Sequence, residues 1–116
     1  LPDRPILTML PTLVQPEITG AVRRFCGDSH IAGCALEVLD QLPNLNLVPL
    51  DRRLAAEAAN LAAEFGMRGA DAVYVAVARL FDTTLVTLDR QQRERCPSTV
   101  RAVGPVEALL GLEEQA

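Results

Sequence analysis

The sequence is short of aromatic side chains and has no lysine or tryptophan. Aromatic residues make up only 3% of its 116 residues, so leucine, valine and alanine must build the core. The hydrophobic fraction of 49% is typical of a globular chain, and the length suits one domain. No apolar run approaches the roughly 20 residues of a membrane span. No signal-peptide pattern is visible either, and we therefore expect a cytoplasmic protein that makes no contact with a membrane.

Motifs for zinc, phosphate loops and nucleophilic serine are also missing. The single histidine, His30, and three cysteines without CxxC spacing form no recognisable zinc set. We expect the cysteines to be core or surface thiols and His30 to be solvated or to serve at a helix start. No GxGxxG or GxxxxGK[ST] segment provides a phosphate cradle, and no GxSxG elbow presents a nucleophile. The common dinucleotide, P-loop and serine-hydrolase chemistries therefore lack their residues.

The charge balance argues against a protein that binds nucleic acid by bulk positive charge. The formal net charge is -4. All 11 basic residues are arginine, and several cluster at 23–24, 52–53 and 90–95. Guanidinium groups suit phosphate, but solvated helix faces explain each cluster equally well.

Short apolar runs alternate with helical patterns along the chain. The runs predict strands at 6–10, 45–50, 83–88 and 99–103. Helical patterns separate them, at 13–26, 29–42, 52–65, 70–81, 89–96 and 105–112. Asp51 and Gly66 are suitable N-cap and C-cap residues for the third helix. Strands that alternate with helices predict a single α/β domain with a mostly parallel sheet.

Three acidic residues are expected at one edge of that sheet. Asp89 directly follows the strand 83–88, Glu17 lies in the first turns of the helix after strand 6–10, and Asp71 opens the helix 70–81. All three then lie beyond the carboxyl ends of parallel strands, where ligands bind in such sheets. Each acid alone could cap a helix or favour its dipole. Together they repel one another unless a positive charge lies between them, and oxygen ligands of this kind suit Mg²⁺ or Mn²⁺.

Two segments resemble conserved blocks of a known enzyme family. "LPTLVQPEITGAV" (10–22) and "RGADAVYVAVARLFDTTLVTLDRQQRERC" (68–96) are similar to blocks of the PIN-domain ribonucleases, specifically the VapC-type toxins of toxin–antitoxin pairs. In the first block a proline precedes the acid by six positions, as Pro11 precedes Glu17. In the second, Asp71 precedes an alanine-rich helix and Asp89 follows "LVTL".

The resemblance, over about residues 5–112, implies a three-layer α/β/α fold and a metal-dependent endoribonuclease that uses Mg²⁺ or Mn²⁺. It implies that Glu17, Asp71 and Asp89 are catalytic and bind the metal. Thr87 matches a position where a small hydroxyl supports the site. Arg90 is the arginine best placed near this edge to contact phosphate rather than to read bases. The partners implied are an RNA substrate, a cognate antitoxin and a second copy in a homodimer.

One block of the family has no counterpart in the sequence. The family begins with a strand that ends in an aspartate, as in "DTS" or "DAS". Asp3 precedes the first strand and has proline on both sides in "LPDRP", so it cannot take that role. In the family's strand order, 3-2-1-4-5, the absent strand is central and would lie between strands 6–10 and 83–88. We therefore expect residues 1–116 to be an N-terminally incomplete PIN-like domain, inactive by itself.

Two other interpretations remain open at this point. A catalytically inactive PIN-fold module that binds a partner or RNA would also explain the missing aspartate. An unrelated receiver-like or nucleotide-binding α/β domain has the same order of elements, although no phosphate loop supports it.

Overall fold

The computed structural model describes residues 6–115, and the side chains of residues 6–111. Asp3 lies outside the described residues. The elements, in chain order, are β1 (Thr8–Pro11), α1 (Val14–Cys26), α2 (Ser29–Asp40), β2 (Leu45–Val48), α3 (Arg52–Phe65), α4 (Gly69–Leu80), β3 (Leu85–Val86), α5 (Arg90–Arg95), β4 (Ala102–Val103) and α6 (Pro105–Gln115). Each predicted helix and strand is found in the predicted order. The α/β fold class is confirmed.

Local capping signals set the ends of the helices. The Asp51 side chain accepts a hydrogen bond from the Leu54 amide at 2.9 Å, and α3 therefore begins where the sequence predicts. Gly66 ends α3 with a left-handed φ of 67°, a conformation that glycine adopts without steric cost. At the start of α2, Asp28 accepts hydrogen bonds from the amides of His30 and Ile31. His30 is thus an exposed residue of a first turn that Asp28 caps.

The strands form two separate parallel pairs instead of one sheet. β1 pairs with β2 in the register Thr8↔Leu45, and β3 pairs with β4 in the register Leu85↔Ala102. Within the described residues no pairing joins β1 to β3. β3 and β4 have only two residues each, shorter than the predicted 83–88 and 99–103. The prediction that Asp89 directly follows its strand is therefore wrong, because Thr87 and Leu88 lie between them.

An open cleft separates β1 from β3. It encloses about 620 Å³ between residues 6–10 and residues 83–86, with α4, β4 and α6 completing its walls. The Thr8 amide donates to Asn44, whereas the Leu85 amide donates to Arg101. Because backbone groups alternate along a strand, residues 7 and 9 of one edge and 84 and 86 of the other direct theirs toward the cleft. The sheet is thus divided where the resemblance places an absent central strand.

The core centres on α4, which packs against α3, β1 and β3. Six of its residues are buried, namely Ala72, Val73, Val75, Ala76, Val77 and Ala78. Leu61 of α3 is only 1% exposed and lies in the same cluster. α1 and α2 pack mainly against each other, and α1 has no buried residue. No helix in the described part of the chain is long and apolar enough to cross a membrane.

Candidate active site

The three acidic residues predicted for the site line a single cavity of about 500 Å³. Glu17 comes from the first turn of α1, Asp71 from the first turn of α4, and Asp89 from the residue that caps α5. Thr87, expected to support the site, lies in the same wall. The fold therefore brings together side chains from three distant parts of the sequence.

Asp89 occupies the N-cap position of α5. One oxygen of its carboxylate, Oδ1, accepts hydrogen bonds from the amides of Gln91 at 2.9 Å and Gln92 at 3.3 Å. The Thr87 hydroxyl accepts a hydrogen bond from the Asp89 amide at 3.0 Å. The loop between β3 and α5 is thus fixed on both sides of the carboxylate. Thr87 supports Asp89 through its backbone.

Tyr74 is a cavity residue that sequence reasoning missed. Its hydroxyl donates a hydrogen bond to Glu17 Oε1 and so joins α4 to α1. Burial, then the hydrogen bond to Glu17, then the nearby charges of Glu17 and Asp71 raise the pKa of Tyr74 well above its ordinary value. The hydroxyl therefore keeps its proton and remains a donor. A tyrosine in an apolar helix suggests core packing, although its position three residues after Asp71 places both on one helix face.

Gln92 is the second residue that sequence reasoning missed. It is 8% exposed, and its side-chain amide donates to the backbone oxygen of Asp71 at 3.3 Å. Its own backbone amide donates to Asp89. Gln92 therefore links the helix that carries Asp71 to the cap that carries Asp89. In the sequence it lies among arginines and a second glutamine, a pattern typical of a solvated helix.

Comparison with known families agrees with this architecture. The family model of the PIN domain matches residues 27–96, more than half of the chain. The chain belongs to the PIN domain family. No curated protein matches it significantly. PIN domains are in general nucleases, so nuclease-type hydrolysis is the activity of the family.

The matched region contains two of the three cavity acids. Asp71 and Asp89 lie within residues 27–96, whereas Glu17 lies before them. The assignment of Glu17 to the site depends on its position in the cavity wall and on the resemblance of the block 10–22 to the family. The structure supplies what the family match omits, because it places Glu17 in the same wall as the other two.

PIN domains typically use divalent metals. The carboxylates of this PIN domain are ligands of the right chemical type for such an ion, but they lie too far apart to share one. A set of oxygen ligands without histidine or cysteine matches Mg²⁺ and Mn²⁺ chemistry. Within the described residues, however, no three histidine, cysteine, aspartate or glutamate side chains lie close enough together to hold an ion. Glu17 belongs to the half of the sheet made by β1 and β2, and Asp89 to the half made by β3 and β4. Among residues 6–115 no strand pairing joins these two halves.

The arginines near the cavity of the PIN domain divide into two groups. Arg93 forms an ion pair with Glu107 at 3.5 Å, and Arg95 donates to the backbone oxygen of Gly66 at 2.9 Å. These two arginines hold α5 against the rest of the fold. Arg90, expected to contact phosphate, is exposed at the start of α5 beside Asp89 but does not line the cavity.

Proposed function

We propose that this protein is a metal-dependent endoribonuclease that hydrolyses RNA phosphodiester bonds and serves as the toxin of a type II toxin–antitoxin pair. The observation that carries the proposal is the convergence of Glu17, Asp71 and Asp89 on one cavity of a PIN domain. In this proposal the three acids are the catalytic and metal-binding residues, and the metal is Mg²⁺ or Mn²⁺. Thr87 supports the site, and Arg90 contacts the phosphate of the RNA.

Electrostatics supports a cationic ligand in this cavity. Glu17, Asp71 and Asp89 give the cavity three carboxylates, and their negative charge favours a cation over an anion as its ligand. The one ion pair within the described residues joins Arg93 to Glu107, so no arginine or histidine there neutralises the cavity acids.

The proposed activity belongs to a protein whose cleft is filled by a further strand. The cleft between β1 and β3 leaves the two halves of the sheet unjoined, and the carboxylates are spaced too widely for an ion. A strand between them would hold each neighbour at about 4.8 Å and so fix their separation. We therefore expect residues 1–116 alone to lack nuclease activity.

The proposed cellular context follows the resemblance to VapC-type toxins. In this proposal the protein acts in the cytoplasm as a homodimer, and a cognate antitoxin restrains its cleavage of RNA. A small open reading frame directly upstream of the gene would support the antitoxin partner.

The test compares two aspartates that both cap helices. The protein as its gene encodes it is incubated with labelled RNA and Mg²⁺ or Mn²⁺, with and without excess EDTA. Asp89→Asn should abolish cleavage, because asparagine preserves the cap of α5 but removes the charge. Asp51→Asn is the matched control, since Asp51 caps α3 outside the cavity. The circular dichroism of both variants should match that of the wild-type protein.

The outcomes separate the enzyme from a binding module. Metal-dependent cleavage that is lost in Asp89→Asn and kept in Asp51→Asn supports the proposal. Cleavage that survives excess EDTA would contradict metal dependence. RNA binding without cleavage under any metal condition would favour an inactive PIN-fold module instead.

A further inference from the structure

Glu17 is carried by a helix that is only loosely attached to the core. It is exposed, and its helix, α1, has no buried residue and packs mainly against α2. Among residues 6–111 a single hydrogen bond joins α1 to another helix, and it runs from the Tyr74 hydroxyl to Glu17 Oε1. A glutamate without such a contact distributes over several rotamers. The position of the Glu17 carboxylate therefore depends on Tyr74.

Tyr74, in contrast, is firmly held. It lies between Val73 and Val75 on α4, and both of these residues are buried in the core. Its ring is half-buried and lines both the cleft and the carboxylate cavity. Tyr74 follows Asp71 by three positions, so both side chains lie on one face of α4. A hydroxyl on this ring can therefore hold Glu17 at a fixed place relative to Asp71.

The contact between the two side chains belongs to a strong class of hydrogen bond. A hydroxyl that donates to a carboxylate makes a charge-assisted bond, which is about twice as strong as a bond between neutral groups. No ion pair competes for Glu17, because the one in the described part of the chain joins Arg93 to Glu107. Catalysis is sensitive to such placement, since a displacement of about 1 Å can cost roughly a hundredfold in rate.

We propose that Tyr74 is a positioning residue of the site, whose hydroxyl fixes the Glu17 carboxylate and takes no part in bond breaking. This inference rests on the proposed function, in which Glu17 is one of the acids that cleavage requires. Because the hydroxyl acts through Glu17, its loss should lower kcat and leave KM for the RNA unchanged. The expected loss of kcat is about 10- to 100-fold, which is typical of removing a group that orients a metal-site ligand.

The first measurement is the steady-state cleavage of labelled RNA by the protein as its gene encodes it. Tyr74→Phe removes the hydroxyl and keeps the ring. Thr12→Val is the matched control. The Thr12 hydroxyl accepts a hydrogen bond from the Leu50 amide at 3.0 Å, but Thr12 lines neither the cleft nor the cavity. Tyr74→Phe should lower kcat, whereas Thr12→Val should lower the melting temperature and leave kcat unchanged.

A second variant separates an effect through Glu17 from a direct effect of Tyr74. In Glu17→Asp the side chain is one methylene shorter, so the carboxylate loses its contact with the hydroxyl. In that background Tyr74→Phe should lower kcat by less than about twofold, because two residues that act as a unit do not have additive effects.

A further measurement does not depend on cleavage. In the metal-free protein, scalar couplings in NMR spectra report the χ1 rotamers of Glu17. The wild-type protein should show one dominant rotamer, and Tyr74→Phe should show couplings averaged over several. Glu37, an exposed glutamate of α2, should give the same couplings in both proteins and serves as the control.

The outcomes distinguish the role of Tyr74 from the proposed function itself. An unchanged kcat in Tyr74→Phe, the full loss of kcat in the Glu17→Asp background, or unchanged Glu17 couplings would each overturn the positioning role. Absence of cleavage by the wild-type protein would instead contradict the proposed function. The couplings would then still decide whether Tyr74 holds Glu17.

Discussion

Placing one additional strand in the cleft between β1 and β3 should make the chain soluble and raise its stability. The addition is a segment of roughly 20–30 residues before Leu1, enough for one strand and the crossover that a parallel neighbour requires. Each half of the sheet is already parallel, since β1 runs parallel to β2 and β3 to β4, and the added strand is expected to continue both halves in the parallel sense. Both edges would then be paired, and the two halves would become one sheet.

The size of the effect follows from the two open edges. Leu7 and Met9 on one side, and Thr84 and Val86 on the other, direct an N–H and a C=O each toward the cleft. At about 0.5–1.5 kcal/mol per hydrogen bond these eight groups contribute roughly 8 kcal/mol. Ordering the five residues of the strand itself costs about 1–2 kcal/mol each, which roughly cancels that gain; the comparison is restricted to the strand and leaves out the crossover, which has contacts of its own. The net gain therefore comes from apolar surface.

The apolar contribution can be taken from the exposed side chains in the cleft. Leu7 is 64% exposed and Val86 is 51% exposed. Full burial of such a side chain stabilises by about 1.5–3 kcal/mol, so covering the exposed halves of both contributes roughly 2–3 kcal/mol. For a chain of this length that gain should raise the melting temperature by on the order of 10 °C.

The assay compares residues 1–116 with the extended chain by light scattering and thermal melting. Without the strand, unpaired edges and exposed apolar side chains should cause self-association and poor solubility. Val86→Lys in residues 1–116 should reduce the association, because a charge on an edge opposes pairing with other chains. A soluble monomer of residues 1–116 with a sharp cooperative melt would refute the reasoning, since the sheet would then close without a further strand.

Three further predictions concern the cavity and its surroundings. Asp71→Asn should weaken Mn²⁺ binding to the protein as its gene encodes it by more than about tenfold in calorimetry; equal affinities would remove Asp71 from the site. Arg90→Ala should weaken RNA binding to a similar degree across sequences, because phosphate contacts carry no sequence information; a loss confined to one sequence would contradict this role. The raised pKa of Tyr74 stabilises the fold below the ordinary tyrosine pKa of about 10, and this contribution is lost as the pH rises above it. Urea unfolding between about pH 9 and 11 should therefore show a smaller loss of stability in Tyr74→Phe than in the wild-type protein, and equal losses would refute the assignment.

The helices were predictable because their signals are local. An aspartate before α3 and a glycine after it satisfy the free backbone groups at either end, whatever the rest of the chain does. The apolar run after Asp71 predicts a buried helix, and α4 is the centre of the core. These features need no knowledge of distant neighbours.

The strands were harder to predict because their length depends on partners. The β-branched run 83–88 has strand propensity throughout, yet only Leu85 and Val86 pair with a neighbour. Residues at an unpaired edge gain no ladder hydrogen bonds, so propensity alone does not extend the strand. Because β3 is this short, two residues separate its end from Asp89.

The cavity could be predicted in outline and not in detail. The rule that parallel strands end at one edge is sufficient to expect Glu17, Asp71 and Asp89 in one place. The contacts of Tyr74 with Glu17 and of Gln92 with Asp71 depend on how α4 packs against α1 and α5. Those packing distances are tertiary, and spacing along the sequence does not contain them.

Asp71 differs from the three aspartates that cap helices, because its carboxylate accepts no hydrogen bond from the described residues. Asp28, Asp51 and Asp89 each accept backbone hydrogen bonds at the start of a helix. Among residues 6–111 no hydrogen bond or ion pair reaches the Asp71 carboxylate, and α4 has no side-chain cap. The charge of Asp71 contributes to the fold only through the dipole of α4, which is worth about 0.3–1 kcal/mol. Asp71→Asn should therefore lower the free energy of unfolding by no more than about 1 kcal/mol while removing metal affinity, a combination that a structural aspartate would not produce.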